Sequence, residues 1–482
     1  MRKLAHAALC AAAVGACAAP LDPIEDGLAV EVPERYASER EGAFEGVPWD
    51  GPWWHAAVQD AELDALVARC LEQNFELEAQ IQTLRQARAN ARAAGAPFLP
   101  TLDVGGSVQD LVIEDNTAAG ALIPVRQGQV YSLGPSLSWE LDLFGRIDAA
   151  QDAAALGAEA SEADVHALRL TLTGSVYEAW LDAVENRALE ALALQQVATN
   201  EELLELRRAQ FAGGSGTALS ILQQERQLES TRAELPGLRG ARERASYQLS
   251  VLVGEAPQDN VQRDVVGAGS SVPPLPALPT LDVPGALLTR RPDLVAEGLR
   301  VRSLDRSVAA AVAARYPRLS LTGSYNFDAT DAADLFDRTI QTLVGNLTLP
   351  LTDGGALRAE AERARAELAG ALATYNQSFL VALREVEDAL SVERRGVEFE
   401  GALERQLEIG RAEIDQARRA FAGGRSNYLP VLDAVRSVQT LERQLVTQRV
   451  ANLRARGQLL RALGGATEDA AGAAADENPN TP

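Results

Sequence analysis

Apolar positions along the chain follow two periods. From Leu368 they recur at 368, 372, 375, 379, 383, 386 and 390, in steps of three and four that mark one face of a helix. That stretch lies in a proline-free run from Gly355 to Phe421, and a second such run extends from Ile147 to Phe211. At about 1.5 Å per residue each run predicts a rod of roughly 100 Å, whereas an ordinary globular helix has about 11–12 residues. Rods of this length belong to coiled-coil or tubular assemblies. Leu63, Leu66, Leu77, Ile81 and Leu84 predict one further helix ending before Pro97. Another is expected from about Leu219 to Leu252, bent at Pro236, and Asp293 is placed to cap one that ends before Pro317.

The other period is two. Tyr131, Leu133, Pro135, Leu137, Trp139, Leu141 and Leu143 alternate with mostly small or polar residues, and Leu102, Val104 and Val108 mark a partner strand. The second half of the chain supplies Leu319, Leu321, Tyr325 and Phe327, then Leu343, Leu347, Leu349 and Leu351. Each run is about 10 residues long, the length of a tilted membrane-crossing strand. One face is apolar and the other carries Ser, Thr, Asn, Glu and Asp; Tyr131, Trp139, Tyr325 and Phe327 suit the level of lipid headgroups. A soluble sheet with one wet face gives the same alternation. In lipid, four strands cannot close a barrel, since the smallest have about eight. An open edge would leave N–H and C=O groups unpaired at several kcal/mol each. Copies must then pool their strands, eight from two chains or twelve from three, and the wider ring better fits a pore continuous with a tube of long helices.

The two halves also share a plan. Arg208-Ala209-Gln210-Phe211-Ala212-Gly213-Gly214 is echoed by Arg419-Ala420-Phe421-Ala422-Gly423-Gly424, and at an offset of 210 Phe211 falls on Phe421 and both glycines match. Leu219 and Leu222 fall on Leu429 and Leu432, and Leu249, Val253 and Gly254 on Leu459, Leu463 and Gly464. Upstream, Pro100 to Val104 with Gly106-Ser107 parallels Pro317 to Leu321 with Gly323-Ser324. Co-linear blocks, here at offsets of 217 and then 210, are the mark of an internal repeat. The expected divisions are a leader over 1–16, an extended segment over 17–62, repeats over 63–254 and 285–464, a Pro/Gly-rich connector over 255–284, and a disordered tail over 465–482.

Composition narrows the function. The chain has 482 residues, 46% hydrophobic, 23% charged and only 5% aromatic, with a formal charge of −23. That is enough apolar material for a packed fold and argues against nucleic acid as a partner. Cys10, Cys17 and Cys70 make no metal or disulfide spacing, and His6, His55 and His166 are scattered. No nucleophile elbow, zinc helix or phosphate loop is present. No cofactor, metal or catalytic constellation is therefore expected, and weight shifts to transport, binding or structure.

The N-terminus adds an address. Arg2 and Lys3 precede a short apolar stretch, Leu4 to Val14, too short to span a bilayer. Val14-Gly15-Ala16-Cys17 resembles a bacterial lipobox, in which Cys17 takes up acyl chains and becomes the mature N-terminus; an ordinary signal peptide with a coincidental cysteine reads alike. By resemblance to lipoprotein sorting, Ala18 after Cys17 favours the outer membrane.

Together these features resemble the TolC-type outer-membrane efflux channels, most closely their lipidated OprM/NodT-like branch, over about Trp49 to Gly464. Leu287-Leu288-Thr289-Arg290-Arg291-Pro292-Asp293-Leu294 with Glu297 looks like the family signature, in which Arg290, Arg291, Pro292 and Asp293 are the distinctive positions. Trp139-Glu140-Leu141-Asp142-Leu143-Phe144-Gly145-Arg146 looks like its strand-to-helix junction, and Leu351-Thr352-Asp353-Gly354-Gly355 like a looser second copy. Pro236 followed by Leu238 matches a proline often seen in the fourth helix of the branch.

The resemblance implies a mainly α fold with a small β part. A homotrimer would build a twelve-stranded transmembrane β-barrel, four strands per protomer, and a long-helix periplasmic α-barrel. It implies a passive exit duct, opened when the inner hairpins untwist and driven through a periplasmic adaptor by an inner-membrane pump of the resistance-nodulation-division type. Gly213, Gly214, Gly423 and Gly424 would stand at the hairpin tips with Leu219 and Leu429 beside them, where the family meets its adaptor; packing within the hairpin accounts for those leucines, Phe211 and Phe421 equally well. Asp433 matches an acidic position at the aperture and reads equally as a solvated charge; the comparable first-half position is Ser220. The rival readings are the duct of a one-step protein secretion system and a structural periplasmic coiled-coil lipoprotein.

Overall fold

The computed structural model describes residues 29–38, 51–113, 126–257, 271–278 and 280–465. The expected leader with Cys17, much of the connector and the tail beyond 465 lie outside these residues. Helix α1 (Trp53–Ala57) is followed by α2 (Ala61–Gln73), whose N–H groups of Glu62 and Leu63 donate to the Asp60 carboxylate at 2.9 and 3.2 Å. The single helix expected through Leu63 and Leu84 is in fact two, because the chain turns extended at Asn74 before α3 (Phe75–Gly95). The Asn74 amide oxygen accepts from Glu76 and Leu77, and its NH₂ donates to the Leu252 carbonyl at 2.9 Å. The apolar spacing runs through the break unchanged, so periodicity alone does not register it.

The rest of the chain runs in the order of the two repeats. Strands β1 (Thr101–Ile113) and β2 (Arg126–Leu141) lead into α4 (Arg146–Ala212), α5 (Ala218–Arg232) and α6 (Leu235–Leu252). Then come α7 (Leu287–Arg290), α8 (Pro292–Ala313), β3 (Arg318–Ala329), β4 (Thr339–Thr348), α9 (Ala356–Ala422) and α10 (Leu429–Ala462). Helices α4 and α9 have 67 residues each, the two rods the proline-free runs predict. The expected helix from Leu219 to Leu252 is interrupted at Ala233 and Glu234, and Pro236 sits in the first turn of α6, where its missing N–H costs nothing. Asp293 lies inside the first turn of α8 rather than capping it; Pro292 opens the helix. No helix of the described residues is long and apolar enough to cross a membrane.

The chain divides into two compact units. The first contains residues 83–162 and 296–376, and so the sheet, nearly all of α8 and the adjoining ends of α4 and α9. Its four strands are all antiparallel in the order β1-β2-β3-β4. They run 13, 16, 12 and 10 residues, so three exceed the expected ten, while Leu143, Leu349 and Leu351 fall beyond the strand ends. Register aligns the apolar positions across the whole sheet. Leu102 faces Leu137, Val108 faces Tyr131, Leu133 faces Phe327, Trp139 faces Leu321, and Leu319 faces Leu347. Close approach between β2 and β3 requires Gly134, whose Cβ would lie 2.1 Å from the Tyr325 carbonyl oxygen.

Both long helices leave the sheet through the same device. The Asp142 carboxylate accepts from the N–H groups of Arg146 and Asp148 at 2.8 Å each, and Gly145 turns the chain at φ 71°. Asp353 accepts from Gly355 at 2.9 Å and Leu357 at 2.7 Å, with Gly354 and Gly355 at φ 69° and 87°. A carboxylate on the first free N–H groups satisfies donors that a helix start leaves open and complements its dipole. These hydrogen bonds hold the exposed Asp353 carboxyl below the usual aspartate range.

The second unit contains residues 31–82, 163–295 and those from 377 onward. Its core is aromatic. Trp53 meets Tyr177 edge-on at 5.3 Å and donates from Nε1 to Thr173 at 3.1 Å, and the Tyr177 hydroxyl donates to the Leu453 carbonyl at 2.7 Å. Gly457 on α10 makes room, since a Cβ there would lie 2.4 Å from the Tyr177 ring. The buried Arg456 pairs with buried Glu393 and donates to the carbonyls of Pro276 and Ala277, fixing this part of the connector against α9 and α10.

Candidate functional site

The two hairpin turns of the second unit are built alike. After α4 the N–H of Gly214 donates to the Phe211 carbonyl and that of Ser215 to Gln210, at 3.0 and 2.9 Å. After α9 the N–H of Gly424 donates to Phe421 and that of Arg425 to Ala420, at the same two distances. This is the Schellman pattern, which ends a helix on a residue of positive φ. Gly214 and Gly424 supply it at φ 78° and 67°. Within each pair one glycine makes the turn, since Gly213 and Gly423 have ordinary φ. Gly216, which has no glycine counterpart in the second repeat, is sterically required, because its Cβ would sit 2.8 Å from the Phe211 nitrogen.

Apolar side chains at the turns divide by direction. Phe421 packs on Tyr428, Val431 and Leu432, and its ring meets Tyr428 at 5.7 Å. Phe211, Leu219, Leu222 and Leu429 face outward at 49%, 64%, 62% and 44% exposure. Hairpin packing therefore explains Phe421 and not the other four.

Sequence reasoning missed the polar bridge between the hairpins. Buried Arg207 on α4 lies over the rings of Tyr428 and Phe421, 4.0 and 4.8 Å from their centroids. Burial holds its guanidinium below the ordinary value, with Tyr428 opposing the shift. The Tyr428 hydroxyl donates to Gln224 at 2.8 Å, Gln224 donates to the Asn200 carbonyl at 3.0 Å, and Asn200 donates to Thr231 at 3.2 Å. These residue types look like surface polarity in a sequence; only the opposing repeat reveals that they face one another. Asp433 stands one turn beyond Tyr428, 61% exposed and 3.9 Å from Arg436 on its own helix. Ser220 is engaged by the Thr217 helix cap, and the repeat register corrects the expected correspondence: it sets Gln223 at the position of Asp433.

The signature residues are elsewhere in the same unit. Arg290 pairs with Asp282. Arg291 forks between Asp293 at 2.7 Å and Glu385 on α9 at 2.6 Å, and reaches the Ala462 carbonyl that ends α10. Burial works against the charge on Arg291, but the two carboxylates outweigh it and its pKa rises. Burial also works against the Asp293 carboxylate; Arg291 and the Leu294 N–H outweigh it and leave that carboxyl below the usual range. The pattern is one of ion pairs that join α8, α9 and the end of α10. The structure thus brings the turn residues of each hairpin together and places the signature at a separate helix junction.

The chain matches the model of a family described as outer membrane efflux protein over residues 66–255 and 283–465. The chain belongs to this family. Among its relatives, the pyoverdine export outer membrane protein OpmQ of Pseudomonas aeruginosa is 33% identical, covering 94% of both chains. Outer membrane protein OprJ of the same species is 31% identical over 97% of this chain and 98% of its own. The solved outer-membrane channel OprN superposes with a TM-score of 0.81 at 27% identity, covering 91% of this chain and 98% of that one. This outer membrane efflux protein is therefore the outer-membrane channel of a tripartite efflux system, working with an adaptor and an inner-membrane pump and catalysing no reaction.

Proposed function

We propose that three copies of this outer membrane efflux protein join their sheets into a twelve-stranded barrel, continuous with a tube of α4, α5, α6, α9 and α10, through which small solutes leave the periplasm. The observation that carries this reading is the sheet itself. It has a face that is apolar along β2 and β3, and its outer strands β1 and β4 have no further partner among the described residues. From Tyr131 to Leu141 the apolar face of β2 covers ten residue steps, about 33 Å of strand, which at a tilt of 35–45° spans roughly 25 Å of lipid. Tyr325, Phe327 and Phe336 cluster at one end, with centroids 5.5 and 5.2 Å apart, and Trp139 lies toward the other, as in the aromatic girdles of membrane barrels.

In this reading residues 1–16 are removed, Cys17 is acylated, and the repeats 63–254 and 285–464 alternate around the ring with the connector 255–284 in its belt. The turns at Gly213-Gly214 and Gly423-Gly424, with outward Leu219 and Leu429, receive the adaptor. Asp433 lines the aperture, and a pump of the resistance-nodulation-division type supplies the energy. The relatives named for pyoverdine export and cation efflux support small solutes as cargo. Purified protein should run on gels as a heat-sensitive trimer and give single-channel conductance in planar bilayers. A detergent-free, monodisperse single chain in water would overturn the reading.

A further inference from the structure

A cavity of about 430 Å³ lies where α4, α9 and α10 meet the start of α8. Small-molecule pockets fall in the range of roughly 300–1,000 Å³. Its lining carries both signs of charge. Helix α9 contributes Glu385, Asp388, Ala389 and Val392, whose spacing puts them on one face. Helix α10 contributes Arg461 and α4 contributes Leu170. Arg461 is the cation that the fold leaves incomplete. Its Nε is buried without a hydrogen-bond partner, and no ion pair reaches it among the described residues. The carboxylates that act on it are committed elsewhere, Glu178 to Arg454 at 3.3 Å and Glu385 to Arg291 at 2.6 Å. It has instead the Trp53 ring, 6.0 Å away at the limit of a cation–π contact, and the room left by Gly174, where a Cβ would overlap the guanidinium. Burial and Arg291 hold its pKa below the ordinary arginine value, against the pull of Glu178 and Glu385. A guanidinium buried in this way costs folding free energy that an arriving carboxylate recovers. Asp388 is the opposite case: it is 72% exposed and only 3.8 Å from Arg384, a surface contact that leaves its charge available.

We propose that this cavity binds a small zwitterion of dipeptide size, whose carboxylate pairs with Arg461, whose ammonium meets Asp388 and whose aliphatic side chain covers Leu170 and Val392. A simple anion would satisfy Arg461 but would face the carboxylates of α9, and a simple cation would face the guanidinium. A molecule with both charges meets a complement for each. The guanidinium fork suits a carboxylate, which it can hold through two parallel N–H groups. Every group of the site belongs to one chain, so the proposal does not depend on the barrel. Occupation would add a tie between α9 and α10 beside the Arg291 ion pairs that already join them to α8.

The test is calorimetric titration of the full-length protein in detergent with three probes: leucyl-alanine, its N-acetyl form without the ammonium, and its C-terminal amide without the carboxylate. The free dipeptide should bind, and each capped form should bind about tenfold more weakly, the effect of losing one charge-assisted contact. Asp388→Asn should lower the dipeptide to the affinity of the N-acetyl form and leave the N-acetyl form itself unchanged. Arg461→Gln should lower it to the affinity of the amide. Should Arg461→Gln fail to fold, the capped probes and the exposed Asp388→Asn change still decide the question. Equal binding of the free and N-acetylated dipeptides would make this a site for anions alone and overturn the proposal. An affinity that neither substitution changes, or no heat of binding up to about 10 mM dipeptide, would overturn it as well.

Discussion

Gly214 and Gly424 show how much one backbone angle can hold. A side chain at positive φ costs roughly 1–2 kcal/mol, and a β-branched one crowds the turn further. Gly424→Val should therefore lower the unfolding temperature and abolish efflux while the trimer still assembles, whereas Gly213→Ala, with its nearest neighbour at 3.5 Å, should be silent in a drug-tolerance assay. Arg291 governs a response to pH. Asp293 has a depressed pKa, so its contribution to stability is complete above its unfolded value and is lost as pH falls through the folded one. Arg291→Ala should consequently lower stability at neutral pH and flatten its decline below about pH 4, read as the unfolding midpoint across a pH series. Cys70, buried and with its thiol pushed up to about 11, should react with maleimide at pH 8 only after unfolding.

The elements were legible to very different degrees. Two 67-residue helices stood out because no proline interrupts those runs, and the strands because apolar positions alternate with small or polar ones from Tyr131 to Leu141 of β2. The break at Asn74 was invisible because a capping side chain, not a change of pattern, makes it. Arg207, Gln224 and Tyr428 were invisible for another reason: their meaning lies in a partner about 200 residues away. The connector illustrates the same limit. Its proline content announces an extended segment, yet only the structure shows that Arg456 grips it through two carbonyls. Arg456→Leu would strand Glu393 as a buried, unpaired carboxylate, a change of about 3–5 kcal/mol. It should expose residues near Ala277 to limited proteolysis in the otherwise folded protein, while Arg449→Leu, at an exposed pair, should not.

At the scale of the whole molecule, the lipid-facing surface sets the conditions for assembly. Leu137→Arg would place a cation at the middle of the apolar band, at a cost of about 2–4 kcal/mol, and should reduce the yield of heat-sensitive trimer in outer-membrane fractions. Ser136→Arg, one residue along and on the wet face, should leave that yield unchanged. The pairing order carries a further implication for descent. Within one chain, the last strand of the first repeat lies against the first strand of the second; between neighbouring copies, β4 of one would lie against β1 of the next. Both seams join the end of one repeat to the start of the other, so a trimer of double modules has the connectivity of a ring of six single ones. A circularly permuted gene that begins with the second repeat and ends with the first should close the same ring, because the circle does not record where each polypeptide starts.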